Sequence, residues 1–242
     1  MSGVEVIPVR GLPEIAAGDD LAAMIAGHSA LEHGDVVVVA QKAVSKAEGR
    51  VVVLDDVEAS SRAEELAGDH DPRKLEVVLR EAVRIVRSRP PLVIAETSHG
   101  FVCASAGVDE SNAPESGALV LLPTDPDASA RRIRDRLREL TGKDAGVIVS
   151  DSFGRPFRLG TTDVAIGAAG VETLRDLRGK RDRNGYELRT TQIAVADEIA
   201  AAADLVRGKT EGVAAVIVRG MAVAGDGSGR DLVMPAEQSL FV

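Results

Sequence analysis

The chain has 242 residues, of which 45% are apolar and 28% charged, and its 29 Lys and Arg against 38 Asp and Glu give a formal net charge of −9. This composition excludes wholesale disorder. The acidic balance argues against nucleic acid as the main partner, although a small phosphorylated ligand needs only a local set of donors. Cys103 is the only cysteine, which excludes an intrachain disulfide and agrees with a cytoplasmic location. No apolar run approaches the ~20 residues of a membrane span.

The first part of the chain predicts a turn, a short helix and two strands. Residues Gly11–Glu14 (GLPE) form a turn that could close around a ligand, although a plain turn is favoured. Leu21–Ala26 predicts a short helix. The valine-rich runs Asp35–Ala40 and Arg50–Leu54 predict strands buried on both faces, because they are apolar without alternation.

Basic side chains follow the first of these strands, in the segment AQKAVSK. Lys42, Ser45 and Lys46 could contact phosphate oxygens where the chain leaves the strand. A pair of lysines is usually solvated, so this indication of an anion site is weak on its own.

The middle of the chain predicts a longer helix and another strand. Asp71 is a predicted N-cap with Pro72 at the first helical position. The apolar spacing behind it predicts a helix that runs until Pro90 and Pro91, which cannot continue one. Leu92–Ala95 predicts a strand buried on both faces.

A stretch without periodic structure, Glu96–Ser116, is predicted to be a functional loop. Its segment GFVCASAGVDESN begins with a possible strand and ends in a polar turn. Asp109 and Asn112 could together hold a metal and a phosphate. The alternative is a turn in which these side chains cap their own backbone, and this segment alone favours that alternative.

The next elements are a strand over Gly117–Leu122, an Arg-rich amphipathic helix over Ser129–Leu140 and a strand over Ala145–Ser150. Because ligands bind at the carboxyl ends of sheet strands, the residues that follow Ser150 are candidates for a site.

These residues open a second stretch predicted as a loop, Asp151–Asn184. Asp151 and Ser152 form a pair of hard oxygen donors suited to Mg²⁺ or Mn²⁺, and Arg155 and Arg158 add guanidinium groups suited to carboxylate or phosphate. The alternative is a solvated surface loop, and the same two interpretations apply to the later segment Asp176–Tyr186.

The last predicted elements are a helix over about Thr191–Arg207, capped by Gly208, and a strand over Val213–Arg219. The sequence Gly208-Lys209-Thr210 resembles the end of a phosphate-binding P-loop. However, the P-loop motif requires a glycine where this chain has Ala203, and it follows a strand rather than a helix. The glycines at 225, 227 and 229 likewise lack the spacing of a dinucleotide fingerprint.

Together these elements predict a mixed α/β fold and a site for a divalent metal and a phosphorylated ligand. Kinase, ligase and phosphatase chemistry would all use such groups, so the residues alone leave the reaction open.

The combined segments resemble one family. GLPE, DVVVVAQKAVSKAEGR, ETSHGFVCASAGVDESN and VIVSDSFGRPFRLG are similar, in order, to the coenzyme F420-0:L-glutamate ligase family, over about Val6 to Val223. The resemblance implies one domain over 1–242 with an unusual mixed α/β fold, an intertwined homodimer and no C-terminal reductase-like domain. It also implies that GTP drives the joining of L-glutamate to coenzyme F420-0, with release of GDP and phosphate, and the possible addition of further γ-linked glutamates. The metals it implies are Mg²⁺ or Mn²⁺, with K⁺ also possible.

The resemblance assigns roles to individual positions. It implies that the metal is bound by Asp109, Asp151 and Ser152. It implies that GTP is contacted by Gly11, Leu12, Pro13, Glu14, Gln41 (where the family commonly has Ser), Lys46, Asn112, Gly208, Lys209, Thr210, Glu211, Gly212, Val213, Ala214 and Ala215. Arg155 or Arg158 is expected to orient a carboxylate or phosphate in catalysis. The alternatives are a metal-dependent nucleotide phosphohydrolase and a non-catalytic GTP-binding protein.

Overall fold

The structure, a computed structural model, describes residues 3–240. The helices are α1 (Leu21–His28), α2 (Gln41–Ala47), α3 (Ser61–Ala67), α4 (Pro72–Glu81), α5 (Pro126–Thr141) and α6 (Val195–Arg207). The strands are β1 (Glu5–Val9), β2 (Val36–Ala40), β3 (Val51–Val53), β4 (Ala82–Arg89), β5 (Leu92–Thr97), β6 (Val102–Ala104), β7 (Ala118–Val120), β8 (Gly146–Arg155), β9 (Arg158–Ala169), β10 (Arg175–Asp176), β11 (Gln192–Ile193) and β12 (Ala215–Arg219). Within these residues, no helix has both the length and the apolar character needed to cross a membrane.

A five-stranded sheet in the order β1-β12-β2-β8-β9 forms the centre of the fold. Its strands β2 and β8 run parallel, and its other neighbours are antiparallel. Val37 and Val39 belong to an apolar cluster with residues of α1, α2 and α5, whereas Val36 and Val38 belong to a second cluster with α6. Because alternate residues of a strand point to opposite faces, the valine run of β2 is buried on both sides, as predicted.

A second layer is built from short strands and two helices. Strands β4, β5 and β6 form one sheet, and β3 pairs with β7 in another. Residues such as Leu66, Val78, Val93 and Leu119 form a third apolar cluster in this layer. The mixed α/β fold predicted from the sequence is therefore confirmed.

The predicted strands are all present, although two of them are not buried as expected. The Arg50–Leu54 run contains β3, whose residues are only partly buried, and β5 extends beyond Ala95 to Thr97. In β5, fully buried residues alternate with more exposed ones, so one face of this strand is less well covered. The reason is that the two small sheets, β3-β7 and β4-β5-β6, lack the second layer of helices that covers the central sheet.

The long helix predicted to end at Pro90 is wrong in its second half. Asp71 caps α4 by accepting a hydrogen bond from the amide of Arg73, as predicted, but α4 ends at Glu81. Residues Ala82–Arg89 form β4, which pairs antiparallel with β5 across the Pro90–Pro91 turn. The β-branched residues of this segment gain a strand partner there, and this tertiary pairing outweighs the helical spacing.

The other predicted helices are present with shifted bounds. The helix predicted over Leu21–Ala26 extends to His28, and that over Ser129–Leu140 begins earlier, at Pro126. The helix predicted from about Thr191 begins at Val195, because Gln192 and Ile193 pair with β10. Gly208 ends it with a positive φ of 61°, as expected of a C-terminal glycine.

The predicted loop over Asp151–Asn184 is wrong for its first part. Strand β8 continues to Arg155 and returns as β9, so that Asp151 pairs with Val164 and Ser152 with Asp163. Arg155 pairs with Arg158 across a tight turn at the tip. The polar composition misled the prediction because this hairpin extends beyond the layers that bury the rest of the sheet, leaving Phe157 and Leu159 exposed.

Candidate functional site

A cavity of about 940 Å³ opens where β2 ends beside the middle of β8. Ala40, the last residue of β2, pairs with Ser150 of β8. Because the two strands are parallel, α2, which follows β2, begins at the same edge of the β2–β8 pair as Asp151 and Ser152, which continue β8 beyond its pairing with β2. This edge is where α/β sheets usually bind ligands.

The structure brings most of the sequence-predicted site residues to this cavity. Its lining includes Leu12, Pro13, Glu14, Gln41, Lys46, Asp109, Asn112, Asp151, Ser152, Gly208, Lys209, Gly212, Val213 and Ala214. These residues come from the turn before α1, from α2, from the loop after β6, from the β8–β9 hairpin and from the segment after α6.

Six predicted residues are not part of this lining, namely Gly11, Thr210, Glu211, Ala215, Arg155 and Arg158. The first four are next to lining residues in the sequence. Arg155 and Arg158 are different, because they lie at the tip of the hairpin, where Arg155 Nη2 donates to the carbonyl of Leu159 at 3.3 Å. Within one chain, neither guanidinium is part of the cavity wall, and their catalytic role stays a prediction.

Carboxylates crowd one side of the cavity. Burial raises the pKa of Asp151 to about 6, and the negative charges of Asp163 and Asp109 contribute to the rise. The amide of Ser152 and the charge of Lys42 act in the opposite direction. Asp109 and Asp151 therefore lie close enough to repel each other, so a cation placed between them would relieve the repulsion.

Lysines approach these oxygens from several sides. Lys42 Nζ donates to Asp109 Oδ2 at 2.7 Å and also to Ser111 Oγ. Burial acts to raise the pKa of Asp109, but the hydrogen bonds from Lys42 and Ser111 together with the charge of Lys42 hold it below its usual value. Lys209 Nζ donates to Ser152 Oγ. The cavity thus combines hard oxygen ligands with lysine ammonium groups, an arrangement suited to a polyphosphate and its metal.

The local-turn interpretation of the Asp109 segment is also confirmed. The amide of Ser111 donates to Asp109 Oδ1 at 2.9 Å, which is the hydrogen bond of an Asx turn. The Ser111 hydroxyl also donates to Asp109 Oδ2 at 3.0 Å, and Lys42 donates to the same oxygen. The local turn and the contact with a cationic group therefore occur together on one carboxylate.

The sequence analysis missed a buried charged network beside the cavity. Asp163 and Arg207 are 2% and 6% exposed, and Arg207 Nη1 lies 2.5 Å from Asp163 Oδ2. Ser150 and Ser152 both donate to this carboxylate, at 2.9 and 2.6 Å. The available signals were a charged residue at the start of the apolar run 164–169 of β9 and another at the end of the Ala-rich helix α6. A buried charge at such a position needs a partner, because an unpaired one is too costly to keep.

The donor set fits a divalent cation of the Mg²⁺ or Mn²⁺ type. The carboxylates of Asp109 and Asp151 and the hydroxyl of Ser152 are hard oxygen ligands. Between residues 3 and 240, no group of three or more His, Cys, Asp or Glu side chains is arranged to hold a metal. A cation that also binds substrate phosphates uses only one or two carboxylates. The pKa of Asp151 is raised chiefly by burial, and the charges of Asp163 and Asp109 add to the rise.

The features set aside in the sequence analysis have structural roles. A Cβ on Gly227 would lie 2.3 Å from Thr173 Oγ1, and one on Gly229 would lie 2.4 Å from the carbonyl oxygen of Ile166, so both glycines permit close packing. Cys103 is buried, and burial raises its thiol pKa to about 12. Lys209 follows helix α6 rather than a strand, as expected for a sequence that is not a P-loop.

The fold and the cavity define a mixed α/β protein whose site combines acidic oxygen ligands with lysines at the ends of two parallel strands. Comparison with known proteins is consistent with this description. A model of the family described as F420-0:Gamma-glutamyl ligase matches residues 11–220. The chain belongs to this family of ligases.

Similar proteins carry names that agree with this family. The chain is 51% identical to the coenzyme F420:L-glutamate ligase of Methanopyrus kandleri, over 91% of this chain and 90% of that protein. It is 44% identical to the protein of the same name from Methanothermobacter thermautotrophicus, over 99% of each chain. A third relative of that name, from Methanocaldococcus jannaschii, is 45% identical over 98% of this chain and 96% of its own length.

Proposed function

We propose that this chain is a GTP-dependent ligase that joins L-glutamate to coenzyme F420-0 and releases GDP and phosphate. The observation that supports this most directly is the convergence of Asp109, Asp151 and Ser152 with lysines in one cavity. The family match adds the identity of the substrates, because its relatives are named for coenzyme F420 and L-glutamate.

The polyphosphate of GTP is proposed to lie against the lysine side of the cavity. Lys42 and Lys209 contact the oxygen ligands, and Lys46 Nζ lies 2.5 Å from Glu14 Oε1 of the GLPE turn. If Lys46 Nζ exchanged its contact with Glu14 for a contact with a phosphate oxygen, Lys46 and the GLPE turn would both lie against the nucleotide. Gln41 is 2% exposed, and its amide nitrogen donates to Ser45 Oγ and to the carbonyl of Leu121, both at 2.7 Å. Gln41 is therefore proposed to support the cavity wall.

The proposed reaction has two steps. The carboxylate of the acceptor attacks the γ-phosphorus of GTP, which breaks the bond to the β-phosphate oxygen and forms an acyl phosphate and GDP. The amine of L-glutamate then attacks the acyl carbon, loses a proton and expels phosphate. Lysines of the cavity neutralise the charge that develops on the transferred group, and their placement supplies most of the rate enhancement.

A divalent cation, Mg²⁺ or Mn²⁺, is proposed to be held by Asp109, Asp151 and Ser152. When bound it would supply charge neutralisation at the phosphates. K⁺ as an additional cofactor, which the resemblance implies, and a cytoplasmic location, with which the single cysteine agrees, are further proposals.

The chain is also proposed to act as a homodimer, as the resemblance implies. The hairpin tip supports this proposal, because Phe157 and Leu159 are 91% and 99% exposed on an element that projects from the central sheet. Light scattering of the purified chain tests the oligomeric state. The double variant Phe157→Ser/Leu159→Ser is expected to be monomeric, and Leu205→Ser, which alters an equally exposed leucine on α6, is expected to remain dimeric.

The proposed activity is tested by mass spectrometry of a reaction that contains GTP, Mn²⁺, L-glutamate and coenzyme F420-0. The expected product is heavier by one glutamyl unit, or by several if further residues are added. Asp151→Asn is expected to lower turnover by at least about 100-fold, because it removes a charged metal ligand. Asp127→Asn is the matched control, since Asp127 is a buried carboxylate that does not line the cavity.

Two results would contradict the proposal. Release of phosphate from GTP in the absence of both coenzyme F420-0 and L-glutamate, and with no ligated product when they are present, would identify a phosphohydrolase. Binding of GTP without any product would identify a non-catalytic protein. The acyl phosphate is tested separately with hydroxylamine, which is expected to give a hydroxamate of the acceptor that depends on GTP.

A further inference from the structure

The buried ion pair beside the cavity lies directly behind one of the proposed metal ligands. Asp163 and Ser152 are opposite each other in the β8–β9 hairpin. Ser152 Oγ donates to Asp163 Oδ1 at 2.6 Å, while Arg207 Nη1 lies 2.5 Å from Asp163 Oδ2. Asp163 belongs to the cavity lining but is only 2% exposed, and its Oδ1 contacts Ser152, so this carboxylate can act on a ligand in the cavity through Ser152.

We propose that Asp163 is a positioning residue that acts through Ser152. A serine hydroxyl has one hydrogen, and when that hydrogen is donated to a carboxylate, the lone pairs of the oxygen are available on its other sides. A carboxylate acceptor also makes the hydroxyl oxygen a better ligand, as partners of metal ligands commonly do. This inference rests on the proposed function, because it assumes that Ser152 contacts the metal.

The two oxygens of Asp163 have different partners, which argues against a purely structural role. Oδ2 accepts from Arg207 and from Ser150 Oγ, at 2.5 and 2.9 Å. Oδ1 accepts from Ser152 at 2.6 Å. The bonds to Oδ2 fix the orientation of the carboxylate, and Oδ1 is thereby held toward the ligand.

A cationic group already lies on the cavity side of the Ser152 oxygen. Lys209 Nζ donates to Ser152 Oγ and lies 3.9 Å from Asp163 Oδ1. The Lys209 side chain is 61% exposed, so it can move away when another cation binds. This contact shows that Ser152 presents its acceptor side to the cavity while its hydrogen points to Asp163.

The test is a double-mutant cycle in which Mn²⁺ affinity is measured by electron paramagnetic resonance in the presence of GDP. Asp163→Asn and Ser152→Ala are each expected to weaken Mn²⁺ binding by about 10–100-fold. The double variant is expected to bind no more weakly than Ser152→Ala alone, because Asp163 has no ligand left to position.

Stability controls separate positioning from folding. Asp127→Asn alters a buried carboxylate that accepts from the amide of Ala168 in the same strand as Asp163, and it is expected to lower the melting temperature without changing Mn²⁺ affinity. If Asp163→Asn does not fold, Asp163→Asn/Arg207→Gln replaces it in the cycle, since this pair removes both buried charges together.

The outcomes distinguish this inference from the proposed function. If Ser152→Ala weakens Mn²⁺ binding but Asp163→Asn does not, or if the two effects add in the double variant, the positioning role is overturned and the metal assignment stands. If Ser152→Ala leaves Mn²⁺ affinity unchanged, the metal assignment of Ser152 fails and the positioning role fails with it.

Discussion

The two ends of the central sheet each carry an Asp–Arg ion pair with a buried carboxylate, but only one end satisfies its polar groups fully. At the amino end of β2, Asp35 accepts from Arg219 Nε and Nη2 at 2.8 Å and from the amide of Glu32. At the carboxyl end, Arg207 Nε is buried without a hydrogen-bond partner within residues 3–240. The hydrogen bonds at the amino end of β2 therefore favour stability. The other end leaves a buried polar group without a hydrogen bond, as ligand sites commonly do.

Breaking the ion pair at each end should give the largest difference. Arg207→Met leaves Asp163 buried without its cation and is expected to lower the free energy of unfolding by about 3–5 kcal/mol. Arg219→Met is expected to cost about 1–2 kcal/mol, because Asp35 keeps the Glu32 amide and the Arg219 side chain is partly exposed. Urea unfolding at pH 7.5 measures both values, and equal losses would contradict the comparison.

The reactivity of Cys103 reports the low polarity of the cavity wall. Burial, with the charge of Asp151 nearby, raises the pKa of this thiol to about 12. Since the thiolate is the reactive form and a raised pKa keeps the thiol neutral, alkylation by iodoacetamide at pH 8 should be at least about 100-fold slower in the folded protein than in urea.

The same rate should still rise with pH between 7 and 10, with no plateau, since this range lies below the thiol pKa. A plateau near pH 8.5, the ordinary value for a thiol, would show that the wall is open to water.

Removing one carboxylate from the crowded end should stabilise the protein. Burial and the charges of Asp163 and Asp109 disfavour the ionised form of Asp151. Asp151→Asn is therefore expected to raise the free energy of unfolding by about 1–2 kcal/mol at pH 7.5 in chelator-treated buffer, while ligation falls.

Asp127 provides the opposite case for comparison. It accepts from the amides of Ala168 and Gly229 at 2.8 and 2.7 Å, so Asp127→Asn should lower stability by about 1–3 kcal/mol. Loss of stability in both variants would show that Asp151 is a structural residue.

Much of the central sheet could be predicted from the sequence, because the continuous apolar runs of β2 and β8, which do not alternate with polar residues, indicate strands buried on both faces. The segment Ala82–Arg89 could not be, since its strand state depends on pairing with β5, which lies later in the chain. The spacing of apolar residues within one segment carries no information about a strand partner, so it cannot decide between a strand and a helix here.

The site was predicted where ligand types follow a strand directly, as with Asp151 and Ser152. Their convergence with Asp109 depends on the packing of two layers, so residue spacing alone does not show it. The family resemblance implied it, and the structure places the three residues in one cavity. Asp163 was missed because it lies within the polar stretch predicted to be a loop, and Arg207 because it stands at the end of a predicted helix. The ion pair joins positions that are distant in the chain.

Strand β2 passes into α2 without a connecting loop, as Ala40 ends the strand and Gln41 begins the helix. One inserted residue at this junction would rotate the helix by about 100°, which would carry Lys42 and Lys46 away from the positions they hold now. Evolution of this junction is thus restricted to exchanges of one side chain for another, and changes in length are to be expected elsewhere, as in the exposed segment between β10 and β11.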